Sequence, residues 1–190
     1  MTFPVINHIN DVLPHIAGKE EFIHVVKDGY QVIDYVYESG DSFSNPILRE
    51  CRGIKFDLDG DLIGRPLHKF FNYGQKEIVY DWGAPHTIMT KMDGSMVHTA
   101  MINGELRLCT RMGVTDHAMA AEKLLTLRQK IELQSLSIYD QSTVTFEYVA
   151  PENRIVIDYD RPQLVVLAIR TNDTGEYWSY AAIKTWSELS

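Results

Sequence analysis

No apolar run in this chain approaches the roughly 20 residues that a membrane-spanning helix needs. The opening Met1-Thr2-Phe3-Pro4-Val5 lacks the basic start and apolar centre of an export signal. Cysteine is scarce: Cys51 and Cys109 among 190 residues cannot make a disulfide framework or a zinc set. These absences lead to the expectation of a chain in a reducing cytoplasm, with no membrane association. Positive charge is also short. Eighteen Lys and Arg against 26 Asp and Glu leave a net charge of −8, which excludes a generally basic nucleic-acid coat. The seven histidines show no metal-ligand spacing. There is no internal repeat, low-complexity tract or obvious linker, so residues 1–190 are expected to form a single domain.

What is present supports a real core, with 45% apolar and 11% aromatic residues. Charge is unevenly spread. Residues 1–48 hold two Lys/Arg against seven Asp/Glu, and residues 112–190 hold seven against eleven. Residues 49–111 hold nine against eight, so the only stretch that is not acidic contains Arg49, Arg52, Lys55, Arg65, Lys69, Lys91, Arg107 and Arg111. That distribution fits a local anion pocket on an acidic body.

Residues 2–18 read as a short helix, with Ile6, Ile9 and Leu13 at helical spacing. Asp28-Gly29, Asp59-Gly60 and Asn103-Gly104 each separate two strand-like runs and predict three hairpins. The apolar stripe Ala118, Ala121, Leu124, Leu125 and Ile131 predicts one long helix over 116–134. Strands are expected over Thr87–Thr90, Val144–Val149 and Arg154–Asp158, and Leu164–Ile169 reads as a central strand with neighbours on both sides. Many hairpins and few helices indicate an α+β fold with mostly antiparallel sheets.

The candidate chemistry centres on Lys91-Met92-Asp93-Gly94-Ser95, placed between two expected strands. A lysine at a strand end before an Asp-Gly turn can hold its amine at the mouth of a sheet, and glycine lets a ligand approach the main chain. An amine must lose a proton before it attacks, and partial burial or nearby cations favour that loss. Three further clusters accompany it in order: Glu50 to Phe56, Arg65 to Asn72, and Phe146 to Val156. Arg52 and Lys69 suit phosphates, arginine through its planar fork and lysine as a point charge. Glu147 faces either a pocket or an ion pair with Arg154. Phe70 and Phe71 are expected in the core rather than as stacking platforms.

Taken together, Glu50-Cys51-Arg52-Gly53, Lys69-Phe70-Phe71, Lys91-x-Asp93-Gly94 and Phe146-Glu147-x-Val149-Ala150-Pro151-x-Asn153-Arg154 resemble the T-even bacteriophage RNA ligase family, of the RNA ligase 1 tRNA-repair type. The likeness runs from about Tyr35 to Tyr180 and lies within the lysine-dependent covalent nucleotidyltransferases. The resemblance implies a two-sheet adenylation domain of the ATP-dependent ligases. It implies that Lys91 attacks the α-phosphate of ATP, forms lysyl-AMP and expels pyrophosphate. AMP then passes to an RNA 5′-phosphate, and a 3′-hydroxyl displaces it. On the same grounds Tyr35, Arg52, Lys69, Lys91, Gly94, Arg111 and Glu147 are expected around the nucleotide. Mg2+, or Mn2+ in its place, is the implied cofactor, with no ligating residues assigned.

Two departures accompany the likeness. Arg111 stands one position away from a lysine of the family and is expected on the other strand face. The family also continues into a Glu-Gly-x-Val segment and a Lys-x-Lys strand that residues 170–190 do not match. The expectation is a C-terminally incomplete domain: a natural truncation, one half of a split ligase whose second polypeptide carries those segments, or a cut fragment. The alternatives kept open are a binding module that only holds ATP or RNA ends, and a related transferase acting on DNA or caps.

Overall fold

The computed structural model describes residues 2–75 and 81–189. Two four-stranded antiparallel sheets dominate it. The first is built from β1 (Phe22–Lys27), β2 (Tyr30–Tyr35), β3 (Ile54–Phe56) and β4 (Leu62–Gly64), in that order. The second is built from β5 (Ser95–Ile102), β6 (Glu105–Cys109), β7 (Ser142–Val149) and β8 (Gln163–Thr171), in the order β6-β5-β7-β8. All three expected hairpins form. At the third, Asn103 and Gly104 have φ of 52° and 77°, the left-handed pair that a tight two-residue turn requires.

The amino-terminal segment folds as a 3-10 turn at Ile9–Asp11 and a short helix α1 (Leu13–Ile16), not as one helix over 2–18. His8 caps the turn, and Pro14, in the first turn of α1, lacks the amide donor that would continue a helix through it. Helix α2 (Pro46–Glu50) was not expected. It is opened by Asn45, whose side chain accepts from the Ile47 N–H, with proline at its first position. The helix expected over 116–134 is two: α3 (Asp116–Glu122) and α4 (Leu127–Tyr139). Thr126 and Gln129 bond each other's backbone N–H in a capping box, so a new helix starts where one was expected to run on. A last helix, α5, covers Tyr180–Leu189. No described helix is long and apolar enough to cross a membrane.

Each sheet buries one face under helices. Beneath the first sheet, Ile6, Ile9, Val12, Phe43, Leu48 and Ile54 form one core, and Phe71 packs on its edge. On the second, Val97, Val144, Phe146, Tyr148 and Ile169 pack against α3, α4 and α5. A third core of Tyr30, Val32, Ala100, Ile102 and Cys109 lies where the sheets meet. Strand β8 has β7 as its one partner strand among the described residues and meets only a short bridge, Arg170 with Tyr177, on its other side, so it is not the expected central strand. Its apolar run is explained by Leu164 and Val166 packing on the core beside Trp178, Ile183 and Trp186, rather than by a second neighbour.

A buried ionic cluster ties α2 to both sheets. Glu50 accepts from Arg170 at 2.6 and 2.7 Å and from Arg65 at 3.2 Å. Burial alone would raise this carboxyl, but the Arg170 and Arg65 guanidiniums outweigh it and hold it below the usual range. Next to the cluster, His68 Nδ1 lies 2.8 Å from the Tyr177 hydroxyl. Burial and the nearby Arg170 charge lower His68 from 6.5 to about 4.

Between those two values the unfolded chain binds a proton at this position and the folded chain does not. Stability therefore falls as pH drops from 6.5 towards 4. His98, held well below 6.5 by burial and by Lys55, adds to the same acid limb. Urea midpoints measured across this window should decline for the native chain and decline less for His68→Gln. Identical slopes would mean that His68 is protonated in the folded state.

Candidate functional site

Lys91 is exposed and sits in an extended, unpaired segment. Thr87–Thr90 forms no strand, and β5 starts only at Ser95, so the lysine is not at a strand end. The preceding segment is exposed on both sides, and β-branched residues make no strand without a partner. What fixes Lys91 lies just after it. Asp93 accepts at Oδ2 from the backbone N–H groups of Val156 and Ile157, at 2.7 and 2.8 Å. These two bonds lower the Asp93 pKa, and its own N–H donates to the Tyr159 hydroxyl at 3.0 Å. The same contacts explain why Arg154–Asp158 is not the expected strand: its amides are taken by Asp93 instead of a ladder.

Gly94 lies against β7. A methyl group at this position would run into the Tyr148 carbonyl oxygen and come within 2.9 Å of Val149 Cγ1, so only glycine fits. The Gly94 N–H donates to Glu147 Oε1 at 3.0 Å. Ser95 donates to Asn153, whose amide donates in turn to the Tyr148 carbonyl. Gly94 and Glu147 are thereby fixed to one another beside the β5–β7 pairing, in which Ser95 opposes Tyr148 and Met96 opposes Glu147.

Glu147 does not pair with Arg154, which bonds Asp158 at 2.9 Å. Burial raises the Glu147 carboxyl above its ordinary range, while the Gly94 N–H, Lys91 and Arg52 pull it back. Arg52 reaches this group from the turn after α2. Its Nη1 donates to the Leu67 carbonyl at 3.4 Å and touches Met96 Sδ at 3.6 Å. Its guanidinium stacks 5.2 Å from the centre of the Phe70 ring. Phe70 is therefore exposed, at 56%, and is not the core residue expected. Among the described residues neither Arg52 nor Lys91 forms an ion pair with a carboxylate.

Lys69, Tyr35 and Arg111 form an adjoining group. Lys69 pairs with Glu38 at 3.0 Å and lies over the Tyr35, Phe43 and Phe71 rings. Arg111 stacks on Tyr35, 4.3 Å from its centre, and donates to Asp34 at 2.7 Å and to the Tyr35 carbonyl at 3.0 Å. The strand-face rule expected for Arg111 does not apply, because β6 ends at Cys109 and Arg111 lies in the Thr110–Gly113 turn. The Lys69 N–H donates to the Arg49 carbonyl at 2.6 Å, and Gly53, the residue after Arg52, packs against the Arg111 backbone, which brings the two groups side by side. Asp93, Asn153 and Asp34 were not given their parts from the sequence. An Asp before glycine and an Asn after a Pro-x pair were the available signals.

A cavity of about 660 Å3 lies elsewhere, between α4, α5 and β8. Charge, not concavity, singles out the lysine site: an exposed amine, a half-buried carboxylate that accepts from a backbone N–H, and a guanidinium with no carboxylate partner among the described residues. Among the described residues no group of three or more His, Cys, Asp and Glu could hold a metal ion.

Two antiparallel sheets flanked by helices, with a motif lysine close in the chain to the glycine that bonds a half-buried carboxylate, define the class of the domain as α+β. Residues 50–188 match the sequence profile of a family described as RNA ligase, and the chain belongs to that family of T4-type RNA ligases. A Thermovibrio ammonificans protein, provisionally named an RNA ligase, is 32% identical over 89% of this chain and 46% of its own length. RNA ligase 1 of bacteriophage TS2126 is 28% identical over 79% of this chain and 41% of its own. The chain therefore spans about half the length of these curated relatives. An archaeal ATP-dependent RNA ligase structure superimposes with a TM-score of 0.57 over 93% of this chain and 46% of that one, at 15% identity. At that identity the likeness concerns the fold.

Proposed function

We propose that this chain is the adenylyl-accepting part of an ATP-dependent RNA ligase, with Lys91 as nucleophile. The observation that carries the reading is the exposed Lys91 in a segment fixed by the Asp93 and Gly94 contacts, whose charge and that of Arg52 both act on the half-buried Glu147 carboxyl, in a chain of the RNA ligase family. In the reaction, the neutral amine attacks the α-phosphorus of ATP. A phosphorus–nitrogen bond forms, the bond to the bridging oxygen breaks, and pyrophosphate leaves with the electron pair. AMP then moves to an RNA 5′-phosphate, and a 3′-hydroxyl displaces it, as in repair of a nicked tRNA.

Positioning and charge neutralisation carry such steps more than elaborate proton chemistry does. Arg52, Lys69 and Arg111 supply cations for the phosphates, Tyr35 a ring face, and Glu147 an acceptor for ribose hydroxyls. The described residues do not by themselves form a metal site. Mg2+, or Mn2+ in its place, is the proposed cofactor and would accompany the nucleotide phosphates. RNA ends are the second substrate, and a polypeptide bearing Glu-Gly-x-Val and Lys-x-Lys segments is the proposed partner for complete sealing, in the cytoplasm.

ATP labelled on the α-phosphate tests this directly. The expected result is a protein adduct that is stable to alkali and released by acid. No adduct with the chain alone or supplemented with those segments would overturn it. A second expectation separates binding from chemistry. Glu147→Ala and Lys69→Ala should each weaken ATP binding by about 1–3 kcal/mol, the range for losing a charge-assisted hydrogen bond. Calorimetric titration measures it, and unchanged affinity for both would remove them from the pocket.

A further inference from the structure

Lys55, on β3, is completely buried at 0% exposure, yet among the described residues it has no carboxylate partner. Its amine donates instead to the carbonyls of Gly53 at 2.7 Å, Thr110 at 3.0 Å and Arg111 at 3.2 Å, and lies 2.9 Å from His98 Nε2. His98 Nδ1 is 3.1 Å from the Thr99 carbonyl. A proton on Nδ1 satisfies that contact and leaves Nε2 to accept from the lysine, so the network itself selects a neutral ring with this tautomer.

A buried ammonium of this kind is expensive to desolvate, and an apolar side chain of similar volume would fill the space without that penalty. Core filling therefore does not account for a lysine here. Its three backbone partners do. Gly53 follows Arg52, and the Arg111 carbonyl belongs to the residue stacked on Tyr35. The two segments touch: at Gly53, with φ of +81°, a methyl group would come within 2.7 Å of Arg111 Cα. One amine thus bonds the main chain on both sides of that contact, while His98 anchors it to β5, the strand that begins four residues after Lys91.

We propose that Lys55 is a positioning residue for the phosphate-binding arginines: its buried amine sets the spacing between the Arg52 and Arg111 segments by bridging the carbonyls of Gly53 and Arg111. This rests on the reading of the site as a nucleotide pocket. The groups that face the amine are His98 on β5, Cys109 on β6, Asp34 on β2, Lys27 on β1 and Arg111 in the turn. Burial lowers Lys55 to about 8, opposed chiefly by Cys109 and Asp34.

The test is Lys55→Met, read in three ways. ATP affinity, measured at a temperature where the variant is fully folded, should fall by about tenfold or more. Amide exchange should quicken at Gly53 and Thr110–Gly113 but not in β7. In the native chain, affinity should decline as pH rises through about 8, and Lys55→Met should lose that inflection. Folding stability would move the opposite way across the same window, because from 8 up to the ordinary 10.5 the unfolded chain binds the proton that the fold does not.

Native affinity with unchanged exchange would overturn the proposal, as would affinity lost only in step with stability. If the native chain binds no ATP, the pocket reading fails, and the exchange measurement still decides whether Lys55 fixes the two segments.

Discussion

Lys91→Ala and Lys91→Arg are both expected to abolish label transfer from ATP, while ATP itself continues to bind within a few-fold of the native affinity. The two readouts separate because of how the lysine is held. Its amine makes no hydrogen bond or ion pair among the described residues, so little ground-state binding depends on it. The pocket walls come from elsewhere: the Gly94 N–H with Glu147, Arg52 on Phe70, and Lys69 with Arg111 around Tyr35. Alanine removes the nucleophile. Arginine keeps the charge but stays protonated at any working pH, and so cannot attack phosphorus. If charge alone mattered, arginine would retain activity. Label that persisted in either variant would place the nucleophile elsewhere, and Lys69 would be the first residue to examine despite its pairing with Glu38.

The features that were legible beforehand are those with local causes. Asp28-Gly29, Asp59-Gly60 and Asn103-Gly104 each mark a turn within a few residues, and the three hairpins follow from them. The partnership of β5 with β7 joins residues about 50 apart, and no local pattern announces it. It is nevertheless the pairing that brings Gly94 to Glu147. Errors arose where a residue type was read without its partner. Val156 and Ile157 have strand propensity, but a distant carboxylate, Asp93, claims their amides. Leu164 and Val166 suggested a strand flanked on both sides, whereas helices supply the apolar contact. Thr126 and Gln129 did carry a readable start signal, which the continuous apolar stripe of the neighbouring residues masked. At the site, Lys91 and Gly94 stand out by motif. The fixing of Arg111 by Asp34 depends on where β6 stops, which periodicity alone does not reveal.

The largest loss of stability is expected from Glu50→Ala. Glu50 is buried at 3% exposure between two guanidiniums that are themselves buried, Arg65 at 0% and Arg170 at 1%. Replacing all three by well-packed apolar residues could be nearly neutral, since desolvation offsets most of the attraction. Removing the carboxylate alone is different, because it leaves two positive charges facing each other in the interior. Arg65 would keep its bonds to the carbonyls of Pro4, Asn172 and Asp173. Arg170 would keep only Gly175 and Pro66, so most of the penalty falls on it. Breaking such a pair costs about 3–5 kcal/mol, a large part of the roughly 5–15 kcal/mol that holds a domain together. The damage should also reach the site, because Glu50 closes α2 two residues before Arg52 and one residue after Arg49, whose carbonyl holds Lys69. Chemical denaturation measures the loss. Its pH dependence supplies a further check: the folded pKa of Glu50 lies below 4.5, so its contribution is complete above that value and fades as pH falls through the lowered one. Glu50→Ala should therefore remove part of the acid sensitivity below about 4.5, leaving the His68 limb above it in place. A loss under about 1 kcal/mol would show that water or rearranged carbonyls replace the carboxylate, and the cluster would no longer explain how the Arg52 and Lys69 segments are held.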